Sequence, residues 1–285
     1  MARRKKKESL LAILIVGIFT LIIGIITIIF KILFFFFEWI IFHTSKYSKK
    51  TNNGFLKTYF DKGNYGEFRF YRKLIRIIPS DQILANVYLE KKTDETTEID
   101  LIAVTRKGIY VIEYKNYSGW IFGNQNNRMW TQTFHKNSKH QFFNPIWQNK
   151  LHTSAVINNL KVEEKVIIPL VVFSNKSKLQ KLEIGTNMVL LDNKAFDLIK
   201  RNEKQGVDIL SPQQVYDYHK QLSLGSLQSE EVKREHIENI QIKQELIAEN
   251  ICPNCNIELV KKEGKYGEYL GCINNNNGCN FTKSI

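Results

Sequence analysis

Apolar positions along the chain fall into three regimes. After Ser9 the run LLAILIVGIFTLIIGIITIIF reaches Phe30 without a charge. About 21 apolar residues at 1.5 Å each match a hydrocarbon core of roughly 30 Å. Past Lys31 the apolar character resumes as ILFFFFEWIIF, so residues 9–42 predict one transmembrane helix with an interfacial aromatic segment. A hairpin of two short passes is the alternative. A secretory signal has an apolar region of roughly 7–15 residues followed by small residues at a cleavage site, whereas bulky aromatics follow here.

The second regime alternates between helical and strand periods. Residues Tyr47 to Gly63 are rich in Lys, Asn, Thr and Gly, which predicts a juxtamembrane linker over residues 43–62. From Gly66 to Ile78 the apolar positions Phe68, Tyr71, Leu74, Ile75 and Ile78 follow a helical period that Pro79 ends. Strands are expected near Gln82–Leu89, Glu98–Thr105, Ile109–Tyr117 and Met129–Phe134, and a helix from Pro145 to Leu160 with Asn144 as its cap. Val166–Phe173 and Met188–Leu191 read as buried strands, with helices near Ala195–Arg201 and Ser211–Leu222. This order predicts an α/β domain over residues 63–222.

In the third regime, Gln228 to Asn250 is highly charged with Ile237, Ile240 and Ile247 at helical spacing, a solvated connecting helix within residues 223–250. Residues 251–285 hold all four cysteines.

Charge sharpens this division. The chain of 285 residues carries a formal +13, with hydrophobic residues at 43% and 5 Pro and 15 Gly, which excludes disordered, collagenous and disulfide-dense classes. The first fifty residues hold nine bases against Glu8 and Glu38, and residues 1–8 form a basic N-terminus. The remainder is only mildly basic, so charge alone does not argue for nucleic acid. Bases also lie at Lys46, Lys49, Lys50 and Lys57, and the positive-inside rule nearly balances across the span.

Chemistry concentrates in EIDLIAVTRKGIYVIEYK, Glu98 to Lys115. Two apolar runs joined at Lys107-Gly108 predict a buried hairpin that brings Asp100 and Glu113 to the same end, with Lys115 on the face of Glu113. Paired carboxylates need a cation, and such oxygen ligands suit Mg²⁺ or Mn²⁺. A divalent ion with a neighbouring lysine is a workable site for phosphodiester hydrolysis. Ordinary solvated charges at a hairpin end are the alternative.

The order Asp100, Glu113, Lys115 resembles the PD-(D/E)xK nuclease superfamily. Gly63-x-x-Gly66-Glu67, Glu98-Ile-Asp100, Val111-Ile-Glu113-Tyr-Lys115 and Asn144-Pro145-x-x-Gln148 together resemble the nuclease-related domain, NERD, across Gly63 to Phe173. The resemblance implies a restriction-endonuclease-like mixed sheet flanked by helices, Asp100 and Glu113 as metal ligands and Lys115 as catalytic lysine. Glu67, expected at a helix N-terminus, becomes a further acidic residue near the metal, or simply favours the helix dipole. Gln148 becomes a donor to water or substrate, or a surface polar residue. The superfamily's Pro-Asp signature is absent, since Ile99 precedes Asp100.

Cys252, Cys255, Cys272 and Cys279 form two pairs able to surround one tetrahedral Zn²⁺, with disulfides in an oxidising compartment as the alternative. The segment resembles the C-terminal zinc ribbons of bacterial type I DNA topoisomerases. That resemblance implies a structural Zn²⁺ and single-stranded DNA binding, with Tyr266, Tyr269 and Phe281 as stacking platforms beside Lys261, Lys262 and Lys265, or as packing around the zinc site. No topoisomerase body accompanies it. The six histidines, His43, His135, His140, His152, His219 and His236, lack ligand spacing and read as surface or core residues.

The expectation is therefore a single-pass, membrane-anchored, divalent-metal-dependent nuclease acting on DNA, single-stranded or branched, assisted by a zinc ribbon. Its partners are DNA and the lipid bilayer, with the C-terminal domains cytoplasmic. The alternatives are a non-catalytic DNA-tethering protein and a protein-interaction module on the same fold.

Overall fold

A computed structural model describes residues 2–90, 96–134, 138–226, 230–264 and 267–284. Helices α1 (Ala2–Thr44), α2 (Tyr47–Thr51), α3 (Phe55–Phe60) and α4 (Lys62–Leu74) come first. Strands β1 (Ile83–Glu90), β2 (Thr96–Thr105), β3 (Gly108–Lys115), β4 (Gly119–Asn124), β5 (Met129–Thr133) and β6 (Lys139–Phe143) follow. Then come α5 (Pro145–Leu160), β7 (Ile167–Phe173), β8 (Ser177–Glu183), β9 (Val189–Leu191), α6 (Asp192–Gln205) and α7 (Pro212–Ser226). The chain divides into two compact units, one of residues 1–91 and 97–226 and another built chiefly on residues 227–285. The second holds α8 (Glu230–Ala248) and strands β10 (Leu259–Gly264), β11 (Gly267–Cys272) and β12 (Thr282–Ser284).

The first unit is the expected mixed sheet flanked by helices. Its central sheet runs β1-β2-β3-β7-β9, with β2 and β3 antiparallel and β3, β7 and β9 parallel. Alternation along β3 builds two layers. Ile109 and Val111 pack with Ala155, Val156 and Leu160 of α5 and with α7, while Tyr110 and Ile112 pack with α4 and α6 through Leu74, Ala195 and Ile199. Side chains of opposite parity point to opposite faces, so a strand buried on both sides reads as one unbroken apolar run. Gly108 closes the hairpin at φ +137°, where a Cβ would sit 3.0 Å from the Val166 carbonyl oxygen. That combination of backbone angle and crowding requires glycine.

A second sheet, ordered β6-β5-β4-β8, was not expected beyond β5. β4 carries two glycines, β6 is mostly exposed and β8 is rich in lysine, so none shows a clean apolar alternation. Each is held by pairing with its neighbours and by an inner layer of Ile121, Trp130, Phe142 and Phe173.

The stretch expected as a linker, residues 43–62, is instead folded. Tyr47 and Phe55 are buried and join Phe42, Phe68 and Tyr71 in the core. Tyr71 donates from its hydroxyl to the Ser45 carbonyl at 2.9 Å. The aromatic spacing across this polar stretch outweighs its composition, because Tyr47 and Phe55 each find buried ring neighbours, Phe42 among them.

α1 is long and apolar enough over Leu14–Thr44 to cross a membrane, a test that a signal sequence near an N-terminus also passes. Its side chains from Leu14 to Phe34 are exposed. Beyond that the helix docks. Phe35 packs edge-on against Phe55 and Tyr59, and Glu38, buried, takes both its oxygens to Arg72 at 2.9 and 3.0 Å. The segment expected as interfacial is thus partly a structural helix of the α/β unit.

Candidate functional site

Four elements build the site. α4 begins at Lys62 rather than Gly66, with the Asp61 carboxylate capping it by accepting from the Asn64 N–H at 2.8 Å. Glu67 therefore lies in the second turn and not at the helix N-terminus, so a helix-dipole role does not apply to it. Gly66 lets α4 approach the end of β3, since a Cβ there would lie 2.6 Å from the Asn116 Cβ and 2.7 Å from the Tyr114 ring.

The β2–β3 ladder runs from Thr105↔Gly108 to Leu101↔Ile112. Just beyond, the Asp100 carboxylate accepts the Tyr114 backbone N–H at 2.7 Å. Ile99 and Ile102 pack in one cluster and Leu101 in the other, so the two-residue alternation breaks around Asp100. That break is what turns its carboxylate toward the end of β3.

Glu113 is 1% exposed. One of its oxygens meets the Lys115 ammonium at 2.5 Å and the other meets His152 Nε2 at 2.8 Å. Lys115 also donates to Gln148 Oε1 at 3.0 Å. Both partners outside the strand come from α5, whose cap Asn144 accepts from the Ile146 N–H at 2.9 Å and donates to the carbonyls of Asn124, Gln125 and Asn127. Gln148 and His152 are four residues apart and share a helix face. Between them, Asn149 donates to the Val111 carbonyl at 3.2 Å, which lays α5 across β3. His152 is completed by Thr97 Oγ1, 2.9 Å from Nδ1.

Electrostatics separate the carboxylates. Burial pushes the Asp100 carboxyl well above the usual range, with Glu113 and Glu67 adding to the rise against Lys115 and the Tyr114 N–H. Glu67 is pushed up to about 8 by burial and then by Glu98, Glu113 and Asp61. Glu113 behaves oppositely: burial raises it, but Lys115 and His152 together hold it below the ordinary value. Burial lowers the Lys115 pKa, yet Glu113 and Asp100 lift it to about 12. Lys115 is a cation at neutral pH.

Sequence reasoning thus finds Asp100, Glu113, Lys115 and Gln148 gathered at one sheet end, with Glu67 electrostatically coupled to them. It missed His152, which is buried against Glu113 instead of being an incidental histidine. The signal available was its four-residue spacing from Gln148. It also left Glu98 without a role, although Asn86, in a left-handed turn of β1 at φ 52°, donates to it at 2.8 Å.

Asp100 and Glu113 supply oxygen donors of the kind that Mg²⁺ or Mn²⁺ takes, and a cation there would offset the burial and, after it, the carboxylate repulsion that raise Asp100 and Glu67. Among the described residues, however, the carboxylates do not converge as the cysteines do. Cys252, Cys255, Cys272 and Cys279 hold their sulfurs within 4.8 Å of one another, with contacts of 3.6 Å between Cys252 and Cys279 and 3.4 Å between Cys255 and Cys272. A tetrahedral ion at about 2.3 Å from each thiolate needs sulfur separations of about 3.8 Å, so this donor set fits Zn²⁺.

Around the cysteines, β10, β11 and β12 form an antiparallel sheet. Lys262 faces Tyr269 across it and donates to the Cys272 carbonyl at 3.1 Å, while Lys261 is exposed and, being adjacent on a strand, lies on the opposite face. Phe281 packs against the cysteine cluster. Lys265 and Tyr266 lie outside the described residues.

The site thus sits at the end of the central hairpin of a mixed sheet flanked by helices. Residues 62–174 match the family model of the nuclease-related domain, NERD. An uncharacterized protein of Bacillus anthracis is 29% identical over 185 residues, which cover 64% of this chain and 85% of that protein. No solved structure matches the chain.

Proposed function

We propose that the protein is a membrane-anchored, divalent-metal-dependent nuclease that hydrolyses phosphodiester bonds in DNA, with a Zn²⁺-holding ribbon that assists DNA binding. The observation that carries this reading is the arrangement at Glu113: a buried carboxylate paired with Lys115, with Asp100 across the hairpin. The NERD match over residues 62–174 supports it. α1 would be the anchor, in a single pass, with the following domains on the cytoplasmic side, where thiolates and nucleic acid coexist.

Asp100 and Glu113 would hold Mg²⁺ or Mn²⁺, which polarises a phosphate and lowers the pKa of a bound water when present. The residues of the chain do the rest. Lys115, cationic, cannot accept a proton at neutral pH, so it orients the attacking water and stabilises the charge growing on the phosphate oxygens. Gln148 fixes the Lys115 ammonium, and His152 fixes the rotamer of Glu113. Glu67 places an additional carboxyl beside them.

In the ribbon, Tyr269 and Lys262 share one face of the sheet as candidates for DNA contact, and Lys261 is a candidate on the other face. Lys262 is partly engaged by the Cys272 carbonyl.

The test is cleavage of circular and linear DNA by the full-length protein in detergent with Mg²⁺ or Mn²⁺. Asp100→Ala and Lys115→Ala should abolish cleavage while leaving DNA binding nearly intact. Undiminished cleavage by either variant overturns the assignment. One observation favours a second reading, non-catalytic DNA tethering: both oxygens of Glu113 are already engaged. That reading gives salt-sensitive binding by the wild type with no cleavage in either metal.

A further inference from the structure

The β6-β5-β4-β8 sheet turns one face inward, where Ile121, Trp130 and Phe142 pack on Phe173. Its other face carries a row fixed by register. Lys139 on β6 pairs with Thr133 on β5, Thr133 pairs with Trp120 on β4, and Trp120 pairs with Lys178 on β8. Paired residues project to the same side about 4.8 Å apart, so an indole is set between two lysines. Trp120 is 49% exposed, and Lys139 and Lys178 are exposed. Trp120 stands on an inner strand near the sheet's end, and Phe143 on β6, of the same parity as Lys139, is also exposed, so this face leaves more than one isolated apolar side chain in water.

The electrostatics of this face are one-sided. From Asn116 to Val162 the chain contains no Asp or Glu. On the four strands the single acid is Glu183, at the end of β8, where the Asn124 amide bonds it.

The sheet, though not this face of it, continues from the candidate site, since Lys115 pairs with Phe173 of the inner layer. The parallel pairing of β3 with β7 ends at Lys115↔Phe173 and resumes between β4 and β8 at Gly119↔Ser177. The interruption is held by Ser174 N–H to the Lys115 carbonyl at 2.9 Å and Gly119 N–H to the Lys176 carbonyl at 3.1 Å. Trp120 is five residues from Lys115 in sequence, hence no more than about 18 Å away along the chain.

We infer that the outer face of this sheet seats a single-stranded polynucleotide, with a base stacked on Trp120 and phosphates met by Lys139 and Lys178. An open sheet that offers an aromatic ring flanked by cations suits unpaired bases, whose faces are accessible; a duplex keeps its bases stacked on one another. The inference rests on the nuclease reading above for its substrate class.

The test separates the two. Full-length protein in detergent, with no Mg²⁺ or Mn²⁺ added so that hydrolysis is prevented and the ribbon keeps its metal, is titrated with a labelled single-stranded oligodeoxynucleotide, the same sequence as RNA, and the DNA duplex, over a range of salt. The wild type should bind at least one single strand more tightly than the duplex. Trp120→Ala should weaken that binding by about 5- to 100-fold, and Trp120→Phe should retain most of it. Replacing Lys139 and Lys178 by Gln should reduce the salt slope by about 0.7 per lysine. Unchanged single-strand affinity in the Trp120 and lysine variants overturns the inference even if cleavage is intact, as does binding restricted to duplex. Trp120-dependent binding without cleavage in Mg²⁺ or Mn²⁺ upholds the binding face and sinks the nuclease reading instead.

Discussion

Glu67 illustrates how one side chain links the site to stability. Its carboxyl is pushed up to about 8 in the fold, first by burial and then by Glu98 and Glu113, whereas an unfolded chain titrates it near the ordinary value of about 4.3. Between these values the folded state holds a proton that the unfolded state has lost. Stability from this group is therefore complete below the lower value and is lost as pH rises through the higher one. Without added divalent ions, the protein should lose on the order of 2 kcal/mol between pH 5 and 8 from this source, allowing for partial exposure. Glu67→Gln should flatten that slope in thermal melts recorded across the range, and an unchanged slope would contradict the assignment of charge at this position. The residue itself was legible from the Gly-x-x-Gly-Glu pattern. Its environment was not, because Glu98 and Glu113 reach it only after α4 packs on the hairpin.

At the scale of elements, α1 does two jobs along its length. From Leu14 to Phe34 it exposes apolar side chains, and from Phe35 one side of it joins the α/β core, with Phe42 fully buried, while Phe36, Phe37 and Trp39 stay exposed. The Arg72–Glu38 pair locks the helix to α4. Phe42→Ala should destabilise the α/β unit by about 3–5 kcal/mol, the cost of emptying a large buried aromatic site, read as a lower Tm in the same detergent. Phe34→Ala should leave Tm unchanged, since that ring faces outward. Equal effects of the two substitutions would mean that the helix does not dock. The hydropathy pattern announced the helix without revealing this division, because an apolar residue facing lipid and one facing a protein core look alike in sequence.

On the scale of the whole molecule, the two units differ in what holds them. The first buries two continuous apolar layers on a five-stranded sheet. Among its described residues the second gathers only Leu259 and a few partly buried side chains, Ile247, Leu270 and Phe281 among them, around the four cysteines. So small a core does not offset the entropy of ordering its chain, and a bound metal would supply the difference. Zinc chelation should therefore abolish amide protection over residues 252–284 while the β2–β3 hairpin keeps its protection, as read by hydrogen exchange. Retained protection in both units after the metal is removed would leave the ribbon without need of it.

Local pattern sufficed wherever burial imposes a period: the apolar helix, the β2–β3 hairpin, β7, and α5 from Pro145 with its Asn144 cap all follow from spacing alone. The positions of Asp100, Glu113 and Lys115 at the ends of apolar runs likewise bring them to one sheet edge, while the roles proposed for them come with the NERD resemblance. Other features depended on partners distant in sequence. His152 acquires meaning from Glu113, thirty-nine residues away, the polar stretch from 43 to 62 folds because Phe42 and Phe68 cover its rings, and the second sheet forms from strands too polar to declare themselves. A side chain's own sequence neighbourhood sets its local conformation, but its ionisation, burial and chemical company are set by the groups that packing brings within a few ångströms.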